Sequence, residues 1–218
     1  MSTQETRSAT RPNRRLLAAF AIGAAGLAIT GGGVYAALNA TASNTTAQNA
    51  SSGILSLTMV NVGTGFSQAV SNLAPGDVVN RYVNLTQGAG LDGKDLTLAV
   101  ADATPTLLTT DATKGLRVKV TQCDGTWTPG TGAGSCDGTT TVLLNNAALS
   151  TLTATPASVK AGTNAAGTTL KLQIALTLPD QAETTVNGDA PAGTIQGLSS
   201  SLTWTFGETQ RTATTTGS

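Results

Sequence analysis

The sequence predicts an all-β protein: an antiparallel β-sandwich of about seven to nine strands behind a cleavable apolar leader. Two observations beyond residue 50 carry that reading. Apolar residues recur at every second position in run after run, and turn-forming residues separate the runs. A third observation supports it, since the one candidate helix is a short turn near Ala147–Leu152. Side chains of a strand point alternately to opposite faces, so period two marks segments with one face on a core and one in water.

The leader comes first. Met1 to Arg15 carries Arg7, Arg11, Arg14 and Arg15 against Glu5, and no charge follows from Leu16 to Ala36. A basic start, an apolar stretch and the small-residue end Val34-Tyr35-Ala36 make up a secretory signal. About 20 apolar residues also suffice to span a bilayer, so a retained membrane helix is the alternative. The stretch is rich in Ala and Gly rather than Leu, however, and Gly31-Gly32-Gly33 disfavour helix by about 1 kcal/mol each. Cleavage between Ala36 and Ala37 is therefore expected. Asn13-Arg14-Arg15-Leu16-Leu17 is only faintly similar to a twin-arginine signal. The organisation that follows is signal 1–36, polar arm 37–52, sandwich domain 53–211 and tail 212–218.

Along the domain, Leu55, Leu57 and Met59 alternate with Ser56, Thr58 and Val60. Val79, Arg81, Val83 and Leu85 share a face, with Asn80, Tyr82 and Asn84 opposite. Leu96, Leu98 and Val100 form the next run, then Leu116, Val118 and Val120. The longest is Leu170, Leu172, Ile174, Leu176 and Leu178, and the last is Leu202, Trp204 and Phe206. Phe66–Val70 and Thr141–Leu144 read as shorter strands. Ala74-Pro75-Gly76-Asp77, Asp92-Gly93 and Asp189-Ala190-Pro191 supply turn chemistry between them. Two packed sheets would bury Leu172, Ile174, Leu176, Trp204 and Phe206 between them.

Cys123 and Cys136 bracket "CDGTWTPGTGAGSC", a Gly- and Pro-containing hairpin connection after a strand ending at Thr121. Two cysteines in an exported chain read as one disulfide. Their spacing is unlike the C-x-x-C of a redox pair. Closing such a loop contributes about 3 kcal/mol in the loop-entropy picture. Trp127, inside it, reads as a lid over the hairpin, with a partner contact as the alternative.

The inventory for catalysis is thin. Of 12 basic and 12 acidic side chains, removal of the leader leaves eight against eleven, with no basic patch for nucleic acid. Histidine is absent, so there is no H-E-x-x-H and no imidazole for zinc. Asp92, Asp95, Asp180, Glu183 and Asp189 offer only carboxylates, which suit calcium better, and their spacing matches no recognised loop. No G-x-S-x-G or S-x-x-K is present, and "TPGTGAGS" lacks the ending of a phosphate loop. The residues thus imply no catalytic set, no metal site and no cofactor.

Three motifs in order resemble the TasA–camelysin family of exported bacterial proteins. The signal ends in Gly31-Gly32-Gly33, Tyr35, Ala36 and Leu38, and an arm leads to Gly53, Leu55 and Leu57. Asn72-Leu73, Pro75, Gly76 and Asp77 form the second motif; Trp204, Phe206, Thr209 and Gln210 form the third. The family's usual acidic residue after the cut is absent, with Asn39 near its place, and the cysteine loop has no counterpart in the motifs. The resemblance implies a jelly-roll sandwich and processing by a dedicated signal peptidase. It also implies surface or biofilm-matrix fibres, in which one subunit's N-terminal arm adds as a strand to the next.

Leu38, Ala40 and Ala42 alternate with Asn39, Thr41 and Ser43, so such an arm would present small apolar side chains to a neighbour's groove. Its residues alone would equally fit a disordered terminus. The partner expected from the resemblance is a second copy, joined head to tail, with an accessory matrix protein as the alternative to spontaneous assembly. Other readings are a membrane-tethered monomer at the cell surface and the metalloendopeptidase of the family's name. The intact mass of the exported protein is expected to begin at Ala37; a mass that includes Met1–Ala36 selects the tethered form.

Overall fold

A computed structural model describes residues 52–63, 65–67 and 73–215. The signal, the cleavage position Ala36/Ala37 and the arm residues Leu38, Ala40 and Ala42 lie outside the described residues. Ten strands follow in order: β1 (Leu57–Val62), β2 (Val78–Gln87), β3 (Gly93–Asp102), β4 (Arg117–Cys123), β5 (Trp127–Thr128), β6 (Ser135–Cys136), β7 (Thr140–Ala148), β8 (Ala157–Asn164), β9 (Thr169–Thr177) and β10 (Leu202–Gln210). Two short helices, α1 (Leu107–Thr110) and α2 (Leu149–Ala154), complete the set. The fold is the expected all-β antiparallel sandwich. One sheet has five strands in the order β1-β2-β9-β4-β7, and the other has three, β10-β3-β8.

The period-two runs supply the core. Val83 and Leu85 of β2, Leu96, Leu98 and Val100 of β3, Val118 and Val120 of β4, and Leu170, Leu172, Ile174 and Leu176 of β9 are all buried in one cluster. Burial of each such side chain stabilises by about 1.5–3 kcal/mol. β9 lies at the centre of the larger sheet, with β2 and β4 on its flanks. That position explains why its alternation is the cleanest in the sequence.

The two sheets are of unequal width, and the sides are closed differently. On the β7–β8 side, α2 fills the gap: Leu149 and Leu152 are buried, and the helix packs on β3, β7 and α1. This helix realises the turn expected at Ala147–Leu152, displaced by two residues. α1 begins with a capping box in which Thr106 accepts from Leu108 N–H and Thr109 reaches back to the Thr106 backbone.

Several expectations are corrected. Trp204 and Phe206 are half-buried rather than buried, because β10 is an edge strand with β3 on one side only. Within Phe66–Val70, residues Gly65–Ser67 form a 3-10 turn instead of a strand; 68–72 lie outside the described residues. Tyr82, placed on the solvent face by alternation, is buried there by the cysteine hairpin. β4 continues to Cys123, two residues beyond the expected end, and Gly93 opens β3 instead of closing a turn. Thr141–Leu144 lies within the longer β7.

A buried polar knot ties the sheets at one pole. Asn164 of β8 donates through Nδ2 to Gln87 Oε1 of β2 (3.3 Å) and to Glu208 Oε2 of β10 (3.2 Å). Gln87 Nε2 in turn donates to Leu91 O at 2.9 Å. Gln87 and Asn164 are both almost completely inaccessible, so each bond lost would leave a desolvated group. Asn164→Ala is expected to cost about 1–3 kcal/mol, seen as a lower urea midpoint at unchanged slope.

Candidate functional site

The element with the most unsatisfied potential is β10. Its register with β3 runs from Leu202↔Asp102 to Gln210↔Gly93. Among the described residues no strand pairs with its other edge. On its inward face Leu202, Trp204 and Phe206 touch the core yet remain half-exposed. Across the gap, at the free edge of the five-stranded sheet, β1 pairs only with β2. Met59, opposite Leu85 and therefore on the core side, is 43% exposed. Phe66, in the turn after β1, partly bridges the two edges by stacking on Trp204, with centroids 5.2 Å apart and planes at 18°. Among the described residues the result is an open seam between β1 and β10, lined by apolar side chains and flanked by unpaired backbone, which is the chemistry that accepts a strand.

The start of β10 is held by Asp102 at the end of β3. Its Oδ1 accepts from Ser201 N–H (3.1 Å) and Thr104 N–H (3.0 Å), and its Oδ2 accepts from the Thr109 hydroxyl (2.6 Å). Burial pushes this carboxyl upward, but the hydrogen bonds from Thr109, Thr104, Ser200 and Ser201 outweigh it and hold the group below the usual range. The long connection 178–201 is pinned similarly. Glu183 accepts from the Thr194 hydroxyl and has Lys114 Nζ at 4.0 Å. The Thr194 bond is the main cause that lowers its carboxyl, against desolvation.

Cys123 and Cys136 are bonded, with their Cα atoms 5.9 Å apart. The hairpin they close, including β5 and β6, folds onto the outer face of the five-stranded sheet. Trp127 is buried there against Tyr82, with ring centroids at 5.6 Å, and donates to Lys171 O at 3.2 Å. Tyr82 OH donates to Ala133 O at 2.6 Å. Trp127 is therefore the lid rather than an exposed contact.

The carboxylates noted in the sequence do not converge. Asp92 Oδ1 accepts from Ala166 N–H, and Asp95 Oδ1 accepts from Gly162 N–H, each at 2.8 Å. Asp189 closes a small turn with Val186, and Asp180 is exposed at the start of the long connection. The single three-member group of potential metal ligands among the described residues is Cys123, Cys136 and Asp137. Its sulfurs are bonded to each other and Asp137 accepts from Thr126 N–H, so the donor set does not fit a metal ion. The residues located the strand that forms the seam, and the family resemblance implied a groove for an arm, but neither placed that groove between β1 and β10. Nothing in an alternating run tells whether a strand has one neighbour or two.

Among the described residues the chain is an antiparallel sandwich with unequal layers and an edge strand that leaves backbone and apolar side chains exposed. The chain matches the family described as camelysin metallo-endopeptidase over residues 13–215, and it belongs to that family. The resemblance to TasA and camelysin thus holds for nearly the whole chain, and membership supports an exported surface protein. No curated protein matches the chain. No helix among the described residues is long and apolar enough to cross a membrane.

The lowered Asp102 carboxyl sets a pH dependence. A group whose folded pKa lies below its unfolded value near 3.9 contributes stability above that value and loses it as pH falls through the folded pKa. Asp95, Asp111 and Glu183 are lowered as well. Stability is therefore expected to drop below about pH 4, and the drop in urea midpoint between pH 5 and pH 3 is expected to be smaller in Asp102→Asn than in the parent.

Proposed function

We propose that the chain is a non-enzymatic, exported structural protein, a subunit of cell-surface or biofilm-matrix fibres assembled head to tail. After cleavage at Ala36 by signal peptidase, the arm 37–52 of one copy adds to the free edge of β10 in the next. The observation that carries this reading is the half-exposed row Leu202, Trp204 and Phe206 beside an unpaired strand edge. An added strand would make the three-stranded sheet four-stranded and cover both that row and Met59.

Direction also favours it. β1 starts opposite Gln87, so the segment before it leaves at the pole of the Asn164 knot. β10 runs toward the same pole, since Gln210 pairs with Gly93 and Gly93 with Asn164. An arm that enters the next copy from its opposite pole therefore runs antiparallel to β10, the orientation that pairs well along an edge. Strand exchange of this kind does not close on itself, so it builds filaments. Small apolar Ala40 and Ala42 would fit a seam already partly occupied by Phe66.

A second reading follows from the family's name. A metallopeptidase would here have to work without any histidine, and its sign is casein cleavage that survives purification and vanishes with chelator.

Two measurements test the assembly. Mature protein is expected to form filaments under the electron microscope, and a form lacking residues 37–50 to remain monomeric. A peptide of residues 37–50 is expected to blue-shift and protect Trp204 fluorescence, with Trp204→Phe as the control for Trp127. Equal filaments with and without the arm, together with an unresponsive Trp204, would overturn the reading.

A further inference from the structure

Two poles of the molecule carry features that the strand edge leaves unexplained. At the pole opposite the Asn164 knot, the sheets gape around a cavity of about 280 Å³. Its side chains are mostly aliphatic, with Leu116, Leu176, Leu178, Ile195, Leu198 and Leu202, while Ser199, Ser200 and backbone contribute as much polar surface, and no side chain is charged. Leu202 is also the first inward residue of β10, so one side chain lines both the cavity and the seam.

At the other pole, Ile54 is 75% exposed, the most accessible large hydrophobic residue among those described. Its backbone is nonetheless packed. Any Cβ at Gly90 would lie 2.5 Å from Ile54 O, and one at Gly53 would collide with the Leu91 side chain. Ser56 O accepts from Gly88 N–H at 2.8 Å. The two close-approach glycines thus hold residues 53–56 against the 88–91 loop and present the isoleucine outward on a fixed stalk, immediately after the arm.

We infer that Ile54 of one copy seats in the aliphatic cavity of the next. The inference rests on the head-to-tail reading above and supplies its joint: a knob on one pole and a matching hole on the other make a heterologous contact that propagates. Charge does not oppose it, because both the knob and the walls are neutral. Length supports it too. With Ile54 in the cavity, residues 37–50 extended at about 3.3 Å each reach roughly 45 Å, longer than the nine-residue β10 needs. The arm then continues past Leu202 along the seam, so one segment fills both. The occupant is a second copy of this chain. A small aliphatic molecule from the medium is the competing occupant.

The test uses peptides against methyl-labelled mature protein lacking residues 37–50, with folding checked by near-UV circular dichroism. A peptide of residues 37–56 is expected to shift the methyls of Leu178, Leu198 and Leu202. Ile54→Ser in that peptide is expected to weaken binding at least tenfold and abolish those shifts. On the full mature chain, Ile54→Ser is expected to raise the critical concentration for filaments at least tenfold, and Leu198→Glu in the cavity to do the same. Equal binding by the two peptides, or binding that leaves the cavity methyls unmoved, would overturn the inference. So would methyls already shifted by a copurified small molecule that the peptide does not displace. The arm reading is judged separately by the 37–50 peptide, which lacks Ile54. If that peptide leaves Trp204 unchanged while Ile54→Ser still costs tenfold, the arm fails and the joint stands.

Discussion

A strand has two hydrogen-bonding edges, and a sheet must be covered over its whole apolar face. Among the described residues, neither requirement is met on one side. Five strands at about 4.8 Å spacing present a layer roughly 24 Å wide, and three strands cover only about 14 Å of it. α2 makes up the deficit beside β7 and β8 with Leu149 and Leu152. Beside β1 and β10, among the described residues, the Phe66 turn alone intervenes. The incomplete second layer explains the half-exposed Trp204 and Phe206, the exposed Met59 and the absence of a partner at the β10 edge among the described residues.

Edges are usually defended by charge, bulges or cover. β7 and β8 have broken registers against their neighbours, and β8 carries Lys160. β10 is interrupted only near its end, between Gly207 and Thr209, so the stretch Leu202–Phe206 is regular and uncharged. The undefended stretch coincides with the apolar row and adjoins the cavity at the opposite pole from Ile54. Seam, hole and knob are thus arranged along one axis of the body, set by the antiparallel course of β1, β2 and β10.

Much of this was legible in the residues. Alternation located β2, β3, β4, β9 and β10, and the cysteine spacing located the hairpin. Three motifs pointed to the family. What escaped has physical reasons. β8 (ASVKAGTN) is an edge strand that buries only Val159 and Asn164, so it needs no apolar alternation and shows none. Nothing in the sequence marks Gln87 or Asn164 as buried, since polar residues are mostly exposed, yet inside the sandwich Asn164 donates to Gln87. Tyr82 lies on the face that alternation assigns to water, but a cover folded from residues 123–136 makes that face a second small core. Ile54 carries no signal in the sequence, because a single surface aliphatic is ordinary; it stands out only through its packed backbone and exposure.

The orientation of β1 has a mechanical consequence. The segment 52–56 enters β1 along the strand axis, and six consecutive residue pairs join β1 to β2 without a break in register. A tensile pull on the front of the chain therefore loads that ladder in shear, so its bonds resist together rather than unzipping one after another. That strand would therefore give little before the whole ladder failed at once.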